Sequence, residues 1–213
     1  MIAAVSLLAA QESPTHVILT SRVSPGSRNV VREDIRSKLP LLRQWKDKET
    51  SILGFQILAN SLFDDEGWDT MITVQCTPGW LGRWRGIEAL IPEGALSTSV
   101  TPADLIESGS VESPPTSGGV YLVIPYEYLV TGDEYKKYAK GYVVPQLKGW
   151  MKEGVLLSYQ LFTARFPAGR QWNALLVLRY RDWATLGQRE AVTAKVRVQL
   201  ATDQGWKAWS DNK

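Results

Sequence analysis

Few residues in this chain carry reactive chemistry. His16 is the sole histidine and Cys76 the sole cysteine. Any histidine-built metal site, Ser-His-Asp triad or Cys-His pair would therefore rest on a single residue. His16 opens a predicted strand and reads as an exposed or capping side chain rather than a ligand. Cys76 closes a strand on the apolar parity of Ile72 and Val74, which reads as a buried, inert thiol. The run Asp64-Asp65-Glu66 offers carboxylates. A hard cation needs about six oxygens from a shaped loop, so an acidic hairpin tip in water is the simpler reading. No phosphate loop, dinucleotide glycine pattern or zinc-type cysteine pair is present. The expectation is no cofactor and no metal; haem would have His16 as its one available imidazole.

Polar side chains on strand faces remain. Side chains alternate along a strand, and five polar residues fall among aromatic and aliphatic neighbours on what reads as one face: Arg22, Gln56, Tyr126, Gln160 and Arg179. Apolar walls with sparse polar anchors suit a small-molecule pocket. The arginines would hold an anionic group, and a tyrosine or water would move protons. The same mixture also fits a packed, hydrogen-bonded interface. The tryptophans read as core anchors rather than a cofactor box.

The elements that must position these residues come in two sets. PLLRQW (Pro40–Trp45) returns as PQLKGW (Pro145–Trp150), FQIL from Phe55 as YQLF from Tyr159, and WDTMITVQ from Trp68 as WNALLVLR from Trp172. Trp80 matches Trp183, and Gly26 matches Gly132. Order is kept and the offset drifts slowly, which is the mark of a repeat. The first-strand match taken from the glycines pairs Thr20 with Tyr126 and Arg22 with Tyr128. Each half predicts a strand (His16–Val23; Val120–Tyr128), a Gly-containing turn and a helix (27–46; 133–152). Two further strands follow (52–60 and 68–76; 155–163 and 172–180), then a helix opening near Pro78 or Asp182. Pro40 and Pro145 should kink or split their helices. That is a ferredoxin-like β-α-β-β-α order.

The stretches YLVIPYEYLVTGDEYKKY, VPQLKGWMKEGVLLSYQLF and WNALLVLRYRDWATL resemble the dimeric α+β barrel superfamily, and within it the NIPSNAP and EthD-like groups. The resemblance covers about 70 residues of each half. It implies two ferredoxin-like repeats packed sheet to sheet as a pseudo-twofold barrel in one chain. It also implies company with cofactor-independent oxygenases, isomerases, and decarboxylating, dechlorinating and haem enzymes. The domains expected are 1–13 as a signal remnant or disordered start, 14–92 as the first repeat, 93–119 as a linker that could hold a short last strand, and 120–213 as the second repeat with a C-terminal helix. Residues 184–209 read as one helix, or as helix, short strand (195–200) and helix. Trp206 and Trp209 share a helical face that should pack back on the fold.

Composition bounds the partners. Forty-four per cent hydrophobic residues support a real core, and 24 basic against 22 acidic residues give no electrostatic footprint for nucleic acid. The apolar run Met1–Ala10 is too short to span a bilayer but resembles a signal-peptide core lacking its basic start. The expectation is a periplasmic or secreted protein, or a cytoplasmic one if that run is no signal. The chain should be a monomer with an internal pseudo-dimer and a small-molecule ligand, enzyme or not. The alternative is a non-catalytic exported binding or interaction protein whose barrel is filled.

Overall fold

The computed structural model describes residues 16–48, 52–62, 67–77, 86–115 and 118–211. The chain divides into two compact units, Met1–Ala103 and Asp104–Lys213. The fold is mixed α+β with antiparallel strand pairing.

In the first unit, β1 (His16–Val23) leads through a 3-10 turn at Pro25–Ser27 into α1 (Arg28–Ser37) and α2 (Leu39–Lys48). Then come β2 (Ile52–Ala59), β3 (Thr70–Cys76) and the start of β4 (Ala95–Ser110). The strand order is β2-β3-β1-β4. Pro40 does split the helical stretch, at Lys38. Val17, Leu19, Ile72 and Val74 on the sheet pack against Val31, Ile35 and Leu42 of the helices, an aliphatic core. Arg28 ties α1 to the sheet: its Nε donates to Asp69 Oδ1 at 2.6 Å, while Asp69 Oδ2 accepts from the Val23 N–H at 2.8 Å.

The second unit runs β5 (Val120–Tyr126), α3 (Gly132–Tyr138), a π-helical segment (Ala139–Val143), α4 (Val144–Lys152), β6 (Leu156–Ala164) and β7 (Ala174–Tyr180). The helices α5 (Trp183–Gly187), α6 (Arg189–Leu200) and α7 (Gln204–Ser210) follow. The strand order is β4-β6-β7-β5, so β6, β7 and β5 stand as β2, β3 and β1 do. Here Pro145 sits in the first turn of α4, just after the π segment. A proline withdraws one backbone donor, and a one-residue widening of the helix is one way to absorb that. Thr131 and Glu134 form a reciprocal cap on α3: the Thr131 N–H donates to Glu134 Oε2 at 2.8 Å, and the Glu134 N–H donates to Thr131 Oγ1 at 3.3 Å.

Local irregularities recur at the spacing seen in the sequence. The β2–β3 ladder bulges between Ile52 and Gly54, and the β6–β7 ladder between Leu156 and Ser158. The Asn60 N–H donates to Asp69 O at 2.8 Å, and the Ala164 N–H to Asn173 O at 2.9 Å. The Asp69 N–H donates to Ser21 O, and the Asn173 N–H to Tyr126 O, both at 2.9 Å. Ser21 thus holds the place of Tyr126, an offset of 105 where the glycines gave 106. A slip of one residue exchanges the two faces of a strand.

Two expectations change. The Pro/Ser/Thr-rich segment after Pro92 is largely a 16-residue strand, β4, rather than a linker with a short strand. Its Ser/Thr content misled, but Thr and Val at alternate positions suit a pleated ladder, and it pairs with β1 from His16↔Ala103 to Val23↔Ala95. Residues 195–200 lie in α6, with no strand. The acidic run 64–66, Trp80, the helix start at Pro78 and the apolar start 1–13 lie outside the described residues. Among the described residues, no helix is long and apolar enough to cross a membrane.

Candidate functional site

The second unit carries a cavity of about 850 Å³. Its walls come from the end of β5 and the loop after it (Tyr126–Val130), from α3, the π segment and α4, and from Arg189, Arg197 and Trp209. Leu176 of β7 also lines it. It therefore lies on the helix-covered face of the sheet, the face of Leu176 and Leu178.

The π segment shapes this space. Tyr135, Tyr138 and Tyr142 follow at three- and four-residue spacing along the helical stretch and all line the cavity, whereas α1 of the first unit buries Val31 and Ile35. Tyr128 stacks on Tyr135 with ring centroids 4.4 Å apart, Tyr138 on Tyr142 at 5.2 Å, and Tyr142 on Trp206 at 5.3 Å. Trp209 meets Tyr138 edge-on at 6.4 Å. The Tyr142 carbonyl accepts from Trp206 Nε1 at 3.1 Å and from Gln146 Nε2 at 3.0 Å. These two bonds pin α7 and α4 to the widened turn. Gln146 Oε1 in turn accepts from Arg197 Nε at 2.9 Å, which fixes that guanidinium at the cavity wall. The close approach of α7 needs Gly141: a Cβ there would stand 2.1 Å from Trp209 Nε1.

Electrostatics favour neutral tyrosines. Burial raises the phenols of Tyr126, Tyr128, Tyr135 and Tyr138 above the ordinary tyrosine value. The Arg189 charge opposes part of this at Tyr126. Protonated phenols donate hydrogen bonds; they do not act as general bases at neutral pH. Glu134, though at the wall, is spent on the α3 cap, and the Thr131 hydroxyl holds its carboxyl below the usual range. At the inner end, Arg189 lies over the Trp150 indole, 5.3 Å from its centroid. Trp150 Nε1 and Arg189 Nε are buried without a hydrogen-bond partner in the protein, and the Arg189 side chain reaches the neighbouring Tyr180 hydroxyl.

Of the five polar residues singled out in sequence, Tyr126 lines this cavity. It stands opposite Ala174, on the same face as Leu176. Gln160 and Arg179 stand opposite Val177 and Ser158, on the other face of β6 and β7. Arg179 donates to the Pro115 and Gly118 carbonyls at 2.7 and 2.8 Å and sits 5.8 Å from the Tyr121 ring centroid. Arg22 is exposed opposite Ser97 of β4. Gln56 is half-buried opposite Thr73, with its Oε1 buried and unpartnered. Within the second unit Tyr126 thus parts from Gln160 and Arg179, because it belongs to the parity that the helices cover. Cys76 is buried and burial pushes its thiol up to about 11, the inert state expected. His16 is 2% exposed rather than exposed or capping: β3 and β4 flank it at Gln75 and Ala103. It belongs to the first unit, and the residues that line the cavity include no His, Cys or Met. With phenols held protonated, the cavity does not fit haem.

Sequence reasoning missed Tyr135, Tyr138, Tyr142, Trp150, Arg189 and Arg197 as a set. The available signal was aromatic residues at helical spacing where the first half has aliphatics, with two arginines eight residues apart on the last long helix.

No protein-family model matches the chain, and no curated protein matches it. Solved structures do. A candidate monooxygenase of Fusobacterium nucleatum aligns at a TM-score of 0.50 with 16% identity, over 89% of this chain and 87% of that one. A variant of chlorite dismutase from Candidatus Nitrospira defluvii, in complex with cyanide, aligns at a TM-score of 0.51 with 8% identity, over 92% and 85%. At such identities the likeness carries the fold alone, a mixed α+β one.

Proposed function

We propose that this chain is a small-molecule-binding α+β barrel protein whose ligand occupies the cavity of the second unit. The observation that carries this is the cavity: about 850 Å³, walled by tyrosine and tryptophan with a few fixed polar groups. The matching bulges and backbone bonds at offsets of 104 and 105 support a duplication in one chain, the NIPSNAP- or EthD-like arrangement we infer. The likeness in fold to a candidate monooxygenase and a chlorite dismutase makes an oxygenase- or isomerase-like reaction a reasonable second step of the proposal. Such chemistry would draw its reactivity from the bound substrate, since the phenols here serve as donors. We extend the proposal to export, through the apolar start of the chain.

Native mass spectrometry of protein purified from its own host tests this. A small molecule should co-purify, leave on denaturation, and be lost in Val143→Trp, which fills the cavity. It should survive Gln160→Leu, which alters the other face of the sheet. Loss in Gln160→Leu with retention in Val143→Trp would move the site to that other face. No bound molecule, and no binder in a screen of aromatic metabolites, would favour a filled barrel with an interaction role.

A further inference from the structure

The nature of the ligand can be read from unmet hydrogen bonds, given the cavity as the site. Arg189 Nε and Trp150 Nε1 have no partner within the protein. Trp150 is 6% exposed and Tyr180 0%. They form one cluster with Tyr180: the Arg189 guanidinium lies 5.3 Å from the Trp150 ring centroid, and both its charge and a side-chain hydrogen bond act on the Tyr180 hydroxyl. Arg189 and Trp150 both line the cavity.

A buried donor left without an acceptor costs about 1–3 kcal/mol, so native proteins keep few of them. Here the guanidinium and indole nitrogens can donate but cannot accept. Water would satisfy them at the expense of its own two hydrogens, for which this cluster offers the Tyr180 oxygen alone. An oxyanion brings lone pairs and no hydrogens. Charge points the same way. The carboxylate that pairs with Arg189 is Glu190, at 2.5 Å, and its side chain is 82% exposed. A pair that open to solvent contributes little. The cationic groups at the wall, Lys137, Arg189 and Arg197, face the carboxylates of Glu127 and of Glu134, the latter committed to its helix cap.

We infer that the cavity takes an amphipathic organic anion, its carboxylate or similar oxyanion held by Arg189 Nε and Trp150 Nε1 and its ring-bearing body laid along Tyr138, Tyr142 and Trp209. Arginine suits a two-oxygen head group, and a half-buried cation favours an anion over a neutral carbonyl. The tyrosine and tryptophan faces supply the stacking surface for the body.

The test titrates the full chain with 2-naphthoate and its neutral isostere 2-naphthamide, by calorimetry. The acid should bind at least about tenfold tighter than the amide, the worth of one charged hydrogen bond. Arg189→Gln should abolish that preference. Trp150→Phe, which keeps a ring and removes the donor, should weaken the acid by several-fold and leave the amide unchanged. Thermal melts establish that both variants are folded. Equal binding of acid and amide to the wild type overturns the anion inference and leaves the cavity reading standing. A preference that persists in both variants overturns the assignment to Arg189 and Trp150. Binding of neither probe at millimolar concentration overturns the cavity reading, and this inference with it.

Discussion

The helix-covered faces of the two units begin from nearly the same hexapeptide and end as different materials. In PLLRQW the helix α2 presents Leu42 to an aliphatic core of Val, Ile and Leu. In PQLKGW, Leu147 takes that place, but Gln146 stands where Leu41 does and Gly149 where Gln44 does. Gln146 braces the π segment and Arg197. Gly149 lets α6 come close, since a Cβ there would lie 2.4 Å from Val196 Cγ1. The stripe ahead of it is tyrosine instead of valine and isoleucine. Flat rings held apart by stacking and by pinned helix ends leave space where branched aliphatics interdigitate. One architecture thus supports a packed core and a walled cavity, and a handful of positions selects between them.

The matched leucines measure this difference directly. Leu42 and Leu147 are both fully buried. Leu42→Ala should cost about 3–5 kcal/mol, because its neighbours cannot follow the lost volume. Leu147→Ala should cost nearer about 2 kcal/mol, since part of that side chain faces a cavity and makes fewer contacts to lose. Urea unfolding of both variants checks this. Equal costs would mean that the second unit is as tightly packed as the first.

A smaller effect is expected at the glycines. Gly149→Ala should destabilise by about 1–3 kcal/mol, because Val196 and α6 must move. The aligned residue Gln44 is exposed, so Gln44→Ala should leave stability within about 0.5 kcal/mol. A Gly149→Ala protein as stable as the wild type would show that α6 gives way freely, and that the cavity wall is soft.

Smaller again is the bond that pins α7. Trp206→Phe keeps a ring on Tyr142 but removes the donor to its carbonyl, so about 1 kcal/mol should be lost. Near-ultraviolet circular dichroism from the tyrosine stack should fall with it. An unchanged spectrum would mean that Gln146 alone fixes the widened turn.

Much of the architecture was legible in the sequence, and the reasons are physical. β1 is buried at seven of its eight positions at least in part, and its apolar run reads as His16–Val23 in sequence and structure alike. Pro40 announced the break between α1 and α2 because a missing N–H cannot be hidden, while the stretch holding Pro145 runs on through the π segment. Asp182 announced α5, and its carboxylate indeed accepts from the Thr185 N–H at 2.7 Å. Trp206 and Trp209 announced a docked helix. The cavity was not legible, for two reasons. β4 is rich in Ser, Thr and Pro, and composition alone cannot tell a solvated linker from a ladder whose donors are paired by β1. Matching Gly26 to Gly132 also put the first strands one residue out of step, and period-two geometry turns such an error into the wrong face. Tyr126 was therefore grouped with Gln160 and Arg179 instead of with the tyrosines of α3.

Alkaline titration offers the finest separation of the two units. Cys76, in the first unit's core, has its thiol raised by burial from 9.0 to about 11. Tyr180, in the second, has its phenol raised by burial from 10.0 to about 12, with the Arg189 charge opposing. In both cases the folded state binds the proton more tightly than the unfolded state. Stability from these groups is complete below the unfolded value and is lost as pH climbs toward the folded one. Loss from the first core should begin near pH 9, and loss from the second near pH 10. Cys76→Ala should therefore flatten the fall in stability between pH 9 and 10 and lessen it up to about pH 11, leaving the phenol's share of the fall above pH 10. Urea midpoints at half-unit pH steps resolve the two. If Cys76→Ala leaves the curve between pH 9 and 10 unchanged, the thiol is reached by water. The first core is then looser than its aliphatic packing implies, and the contrast between a packed unit and a walled one must rest on the leucine pair alone.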